Sequence, residues 1–253
     1  MTTLRVITPA AWLYETPSND SRVTSQLLYG ERVDIEGERG DWRHVTAQRD
    51  GYTGWIDAAC LGSLDQNAAH HVCVPYAPLY ASPDIKHAPT GALPLNSVVT
   101  LGGPCVKEHP AFMPLAGGGF LIASHVTNSP KASDPLAVAK TFLGTPYAWA
   151  GRTYLGMDCS GLVQMALWAC GRPCPRDSGD QWSKLGQALG DKDSPQEGDL
   201  VFFPGHVGFY IGAGALLHAN ATHMCTTIDP LEDVISWVAR EHDAPLTGFK
   251  RIL

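Results

Sequence analysis

The sequence predicts an α+β chain in which two small barrels of short strands precede a domain that opens with helices and closes with strands. Three observations predict it. Shifting the 253-residue chain against itself by 66 residues, so that Leu13 meets Leu79, aligns three separated stretches without a gap. Within each aligned copy, short β-branched or aromatic runs are broken by Gly, Pro, Asn and Asp. From Pro135 onward, apolar residues instead recur at helical spacing, until strand-like runs return after Asp199. Helices followed by strands within one segment is an α+β order.

The repeat pairs "LYETP" at Leu13 with "LYASP" at Leu79, "LLYGERVDI" at Leu27 with "LPLNSVVTL" at Leu93, and "GYTGWIDA" at Gly51 with "GGGFLIAS" at Gly117. Runs such as Arg32-Val33-Asp34-Ile35 and Trp42-Arg43-His44-Val45 read as the short strands of a small barrel. The first domain is therefore expected over residues 1–63 and the second over 64–127. Residues 128–135 lie in the polar stretch "TNSPKASDP" and read as a linker, with Ser133 or Asp134 capping a helix that has Pro135 at its first position. The third domain follows over 136–253, with helices expected at Pro135–Leu143, Cys159–Cys170 and near Ser178–Leu189.

Composition narrows the function. A net charge of −7 without a basic run argues against nucleic acid and anionic membranes as partners. Seven cysteines, an odd number without CxxC pairs, favour neither a disulfide framework nor a structural zinc site. The first twenty residues lack the basic start and apolar run of an export signal, and no stretch reaches the length of a membrane span. A cytoplasmic location is the expectation, and neither metal nor cofactor is implied.

In "MDCSGLVQMALWAC", Asp158 suits the N-cap, and Leu162, Val163, Ala166, Leu167 and Cys170 follow at helical spacing, with Gly171 beyond. Cys159 falls in the first turn, where unpaired N–H groups and the helix dipole favour a thiolate. Cys170, at the other end, reads as inert. The helix alone equally describes a small buried hydrophobe at Cys159; a base decides between the two.

That base is offered by "GDLVFFPGHVGFYIGAGALLHAN". A three-residue loop Gly212-Ala213-Gly214 makes a hairpin in which Ile211 faces Ala215 and Gly208 faces His218. His206 then lies diagonally from His218 on the same face, within reach of two imidazoles, whereas a two-residue loop would put them on opposite faces. One ring accepts the proton of Cys159 and the other orients it, His206 being the better base and His218 the better orienter. Two half-buried structural histidines fit the hairpin as well, and a zinc pair lacks a third ligand of suitable spacing.

At these residues the third domain resembles the NlpC/p60 family of papain-like cysteine peptidases, through "GTPYAWAGRTYLGMDCSGLVQ", "PRDSGDQ", "EGDLVFF", "GHVGFYIG" and "LLHA" in the family's order. The resemblance implies that Cys159 is the nucleophile, His206 the general base and His218 the polar third member. It implies that the hydroxyl of Tyr147 joins a backbone N–H at the cysteine in holding the oxyanion, and that Asp158, Ser160, Asp177 and Ser178 line the substrate. The alternative for Tyr147 is core packing beside Trp149; without the resemblance, Ser160, Asp177 and Ser178 read as structural cap and turn residues. The first repeat, "GERVDIEGERGDWRHVTAQRDGYTGWIDAACLG", resembles a bacterial SH3-like domain; the second has lost its aromatics and resembles one only through the repeat.

The family cleaves wall peptides between the γ-carboxyl of D-glutamate and a diamino acid. Two SH3-like copies ahead of the peptidase resemble the YkfC-type branch, which processes released stem peptides with a free L-alanine terminus. The resemblance therefore implies a murein tripeptide or tetrapeptide as substrate, met at its amine by Asp158 and Asp177, with Glu31 and Tyr52 contributed from the first barrel. An exported-type hydrolase or amidase of the same fold, or a wall-binding protein with an inactive peptidase domain, is the alternative. The remaining cysteines are expected to pack.

Overall fold

The computed structural model describes residues 2–64, 67–108, 110–130, 132–190 and 192–252. It divides into two units, Met1–Lys131 and Ala132–Leu253.

The first unit holds both repeats. Seven antiparallel strands run in the order Val23–Leu28, Ala10–Tyr14, Thr53–Asp57, Trp42–Ala47, Arg32–Arg39, Thr3–Val6, Leu61–Gly62. Alternate residues of these strands, among them Leu13, Leu27, Val33, Val45 and Ile56, face inward and close a core. The second copy has shorter strands, split among three small sheets, around Val72, Ala77, Leu93, Val99 and Leu121. Each copy ends in a 3₁₀ turn, Ala58–Cys60 in the first and Ala123–His125 in the second. Tyr29 of the first copy packs against the second core, and the Val98 N–H donates to the Tyr29 carbonyl at 2.8 Å.

The second unit begins with α1, Pro135–Lys140, capped by Asp134, whose carboxylate accepts the Leu136 N–H at 2.9 Å. It continues through α2, Cys159–Ala169, with Cys170 as C-cap, and α3, Ser178–Lys184. Both α1 and α3 stop short of their expected ends. Gly186, at φ +46°, turns the chain after α3 so closely against Arg251 that a Cβ there would meet its carbonyl oxygen at 2.2 Å. Residues Gln187–Ala188 then pair as an edge strand with Gly248–Arg251 instead of prolonging the helix.

Six antiparallel strands complete the unit in the order Gln187–Ala188, Gly248–Arg251, Leu200–Phe203, His206–Tyr210, Ala215–Asn220, Cys225–Pro230. Helix α2 is buried along nearly its whole length against this sheet. Val201, Phe203 and Leu216 face the other way, toward Val234 of α4, Leu231–Val238. The sheet is thus covered on both faces. Among the described residues, no helix is long and apolar enough to cross a membrane. Among the described residues no cysteine forms a disulfide; Cys174 is buried as expected of packing, but Cys105 is exposed.

Candidate active site

The hairpin forms in the register that unites the two histidines. Ile211 N–H donates to the Ala215 carbonyl at 2.9 Å, and Phe209 and Tyr210 pair with Leu217 and Leu216. Continuing that register sets Gly208 opposite His218. A Cβ on Gly208 would lie 2.9 Å from the His218 Cβ and 2.9 Å from Leu216 Cδ1, so only glycine leaves the His218 ring its place. His206 Nε2 and His218 Nδ1 are 2.7 Å apart, with the rings nearly perpendicular.

Cys159 opens α2 and is 8 % exposed. Asp158 caps the helix through a 2.7 Å bond from the Gly161 N–H to Oδ1. Its Oδ2 accepts the Ala150 N–H at 2.9 Å, holding Ala150 at φ +67°. Arg176 clamps the same carboxylate from below, Nη2 to Oδ2 at 2.6 Å and Nη1 to Oδ1 at 3.0 Å, and Nη1 also reaches Ser160 Oγ at 2.8 Å. Gln181 of α3 donates to the Ser160 carbonyl at 2.9 Å, which ties α3 to the first turn of α2. Neither Arg176 nor Gln181 was singled out by sequence reasoning, although a buried Asp158 demands a cation.

One open cavity of about 250 Å³ is lined by Tyr147, Cys159, His206 and His218, with Asn220, Thr222, Trp237 and Glu241 extending it past the hairpin. Of the ten sequence-predicted site residues, these first four come together there. Asp158 and Ser160 lie under the nucleophile, both buried. Asp177 occupies the N-cap position of α3 and is exposed, and Ser178 follows it. Glu31 and Tyr52 belong to the first unit: Glu31 is buried, accepting the Leu28 N–H at 3.2 Å with Arg49 Nη1 3.9 Å away, and Tyr52 packs against the first barrel's core. Trp149 is 68 % exposed, so Tyr147 does not share a core with it.

The protonation pattern departs from the sequence expectation of a ready thiolate. Burial pushes the Cys159 thiol up to about 12, and the Asp158 carboxylate adds to the effect, while the Val207 amide, Arg176 and the Ser160 amide oppose it. The same Val207 amide, facing the sulfur, sets Cys159 against the strand that carries His206. His206 retains some access through the cavity, yet burial pushes it down to about 3, helped by His218. Both shifts favour a neutral thiol beside a neutral imidazole. Burial, then Cys159 and Asp158, also push the Tyr147 phenol well above its ordinary value, so it remains a hydrogen-bond donor across the neutral range.

Asp229 was not foreseen. Its Oδ2 lies 3.0 Å from His218 Nε2 and accepts the Thr227 hydroxyl at 2.6 Å; its Oδ1 lies 3.2 Å from His223 Nε2. In the strand pairing, His218 faces Thr227 and Leu216 faces Asp229, so the acid is the diagonal neighbour of the second histidine. The register of this second strand connection would have exposed the relationship. The resulting arrangement is a thiol at a helix start, a phenol donor and two imidazoles ending on a carboxylate, a set suited to nucleophilic acyl transfer.

Comparison with known proteins agrees with that chemistry. Residues 144–237 match the sequence model of the NlpC/P60 family, and residues 13–61 match that of the bacterial dipeptidyl-peptidase Sh3 domain. The chain is 32 % identical over 243 residues to a gamma-D-glutamyl-L-lysine dipeptidyl-peptidase of Bacillus cereus, covering 85 % of this chain and 72 % of that protein. It is 30 % identical over 238 residues to the Bacillus subtilis protein of the same name, covering 85 % and 78 %. A crystal structure of an NlpC/P60 family protein from Bacillus cereus superposes with a TM-score of 0.81 at 25 % identity, covering 100 % of each chain.

Proposed function

The chain belongs to the NlpC/P60 family of cysteine peptidases, and on that premise we propose that it cleaves the γ-D-glutamyl–L-diamino acid bond of released murein stem peptides. The observation that carries the reading is the gathering of Tyr147, Cys159, His206 and His218 around one cavity. Two relatives that align over 85 % of this chain are named gamma-D-glutamyl-L-lysine dipeptidyl-peptidases.

The chemistry proceeds in two halves. Cys159 Sγ adds to the γ-carbonyl carbon of D-glutamate as its proton passes to His206 Nδ1, the nitrogen turned away from His218. Tyr147 and a first-turn N–H of α2 receive the oxyanion. His206 then protonates the α-amine of the diamino acid, which leaves as the thioester forms. Water adds to the thioester, giving one proton to His206; collapse returns that proton to the sulfur and releases the γ-carboxylic acid of the dipeptide, which loses its remaining proton to solvent. Because thiol and imidazole are both neutral at rest, proton transfer accompanies attack instead of preceding it.

Removal of a dipeptide requires recognition of the amino terminus. Asp158 already receives Gly161, Ala150, Ser160 and both Arg176 nitrogens, so its charge is neutralised within the fold. Asp177, exposed at the N-cap position of α3, is the other carboxylate proposed to meet an ammonium group. A free-terminus requirement assigns the enzyme to recycling of released peptides, and seven free thiols suit the reducing cytoplasm that such recycling occupies. The test compares L-Ala-γ-D-Glu-L-Lys with its Nα-acetylated form. The acetylated peptide is expected to lose most of its kcat/KM; undiminished cleavage would remove the terminus requirement and the recycling role together.

A further inference from the structure

We infer that Asp229 is a positioning residue that, acting through His218, keeps the Nδ1 lone pair of His206 free to take the nucleophile's proton. This rests on the cysteine-peptidase reading, and it adds a fourth member to the set formed by Cys159, His206 and His218.

The inference follows from counting protons along the chain of contacts. An ionised carboxylate only accepts hydrogen bonds. Asp229 accepts the Thr227 hydroxyl at 2.6 Å, and His218 Nε2 stands 3.0 Å from the same oxygen, so this nitrogen is the one that carries hydrogen. In a neutral imidazole the other nitrogen is then an acceptor. His218 Nδ1 therefore accepts a hydrogen bond from the His206 Nε2–H across 2.7 Å. His206 Nε2 being protonated, its Nδ1 is bare. A single carboxylate thus sets the tautomer of two rings.

Asn220 supplies the competing arrangement. Its Nδ2 lies 3.3 Å from His218 Nε2 but donates to Thr227 Oγ1 at the shorter 2.7 Å. Were Asn220 to donate to His218 Nε2, that nitrogen would be an acceptor facing the Asp229 acceptor at 3.0 Å, a repulsive contact in a partly dry site. His218 is 1 % exposed, so water does not relieve it. The second Asp229 oxygen is engaged by His223 at 3.2 Å, which sits edge-on to Trp237. His218, His223 and the Thr227 hydroxyl all hold the carboxylate in line with the histidine pair.

Once His206 accepts the thiol proton, the same chain spreads the positive charge. The imidazolium donates through Nε2 to His218, whose Nε2–H still faces the carboxylate. No proton needs to reach Asp229.

Asp229→Asn is the discriminating variant, because the new amide can donate to His218 Nε2 and reverse the order. His218 Nδ1 would then carry hydrogen, His206 Nε2 would accept it, and His206 Nδ1 would hold the proton that blocks the base. The expected result is a kcat reduced by up to about 10⁴-fold, the loss that the wrong tautomer produces when the acid of a Ser-His-Asp triad becomes an amide, with KM little changed. Nitrogen-15 NMR of histidine-labelled wild-type enzyme is expected to show His206 with a protonated Nε2 and a pyridine-type Nδ1, reversed in the variant. A wild-type spectrum with a protonated His206 Nδ1 overturns the inference, whatever the variant's folding. A folded Asp229→Asn enzyme that keeps wild-type kcat also overturns it. Wild-type cleavage of L-Ala-γ-D-Glu-L-Lys in either case leaves the peptidase reading standing, so the two fail separately.

Discussion

Asp158 and Arg176 form a two-pronged ion pair at the first turn of the nucleophile's helix, with side chains 8 % and 1 % exposed. The pair does three things at once: it caps α2, it holds Ala150 in a left-handed conformation, and it neutralises a carboxylate that otherwise opposes ionisation of Cys159.

Removing only the cation is therefore costly. Arg176→Met is expected to lose about 3–5 kcal/mol of unfolding free energy, because it leaves Asp158 charged and buried. Urea denaturation measures it; a loss below about 1 kcal/mol would mean that the pair is not buried in solution.

Burial and Asp158 push the resting Cys159 toward its neutral thiol form. Alkylation of Cys159 by iodoacetamide, followed by peptide mapping, is expected to keep accelerating with pH beyond the range where an ordinary thiol has ionised, since burial and Asp158 raise its pKa to about 12. Exposed Cys105 supplies an internal comparison. A rate plateau for Cys159 between pH 4 and 7, roughly the range of ion-paired catalytic thiolates, would restore the preformed thiolate that the helix start alone suggests.

Acid destabilises the site. His206 and His218 have folded pKa values below the unfolded value of about 6.5, so the unfolded chain binds more protons in the interval between. Their stability contribution is full above about pH 6.5 and is lost as pH falls toward the folded values. Asp229, also lowered, adds a loss of the same sign below the ordinary carboxylate pKa. Unfolding free energy measured from pH 7 to pH 4.5 should fall, and His206→Asn should flatten the slope by up to one proton, about 1.4 kcal/mol per pH unit. An identical slope in the variant would show that His206 titrates normally.

Tyr147→Phe removes one oxyanion donor. A kcat lower by about 10²–10³-fold, with KM little changed, is expected if the phenol acts in the transition state. A raised KM with unchanged kcat, or no loss in either, would return Tyr147 to a packing role.

Gly208→Ala places a methyl 2.9 Å from the His218 Cβ. Overpacking of this kind costs about 1–3 kcal/mol, and the displaced ring should lower kcat. A variant of unchanged stability and rate would mean that the hairpin yields without moving His218.

Much of this arrangement was legible in the chain because it is local. The cap at Asp158, the stripe through Leu162 and Val163, and the Gly212-Ala213-Gly214 loop each fix geometry over a few residues, and strand alternation carries the loop's register out to His206. The fold class followed from the same patterns. What escaped depended on distant pairing. Arg176 meets Asp158 only because α3 folds back against α2, and Asp229 reaches His218 only through the register of the last long strand pair. The upward push on the thiol has a related origin: a helix start is visible in sequence, but the burial that opposes ionisation is not. Helix α3 ended early because Gly186 turns against a strand more than sixty residues on.

The most direct test of the peptidase account is mass-spectrometric product analysis of L-Ala-γ-D-Glu-L-Lys incubated with wild-type enzyme and with Cys159→Ala. The account predicts release of L-Ala-γ-D-Glu and free lysine by the wild type and none by a folded Cys159→Ala protein. Release at the wild-type rate without the thiol, or cleavage by the wild type at the L-Ala–D-Glu bond instead, would contradict it.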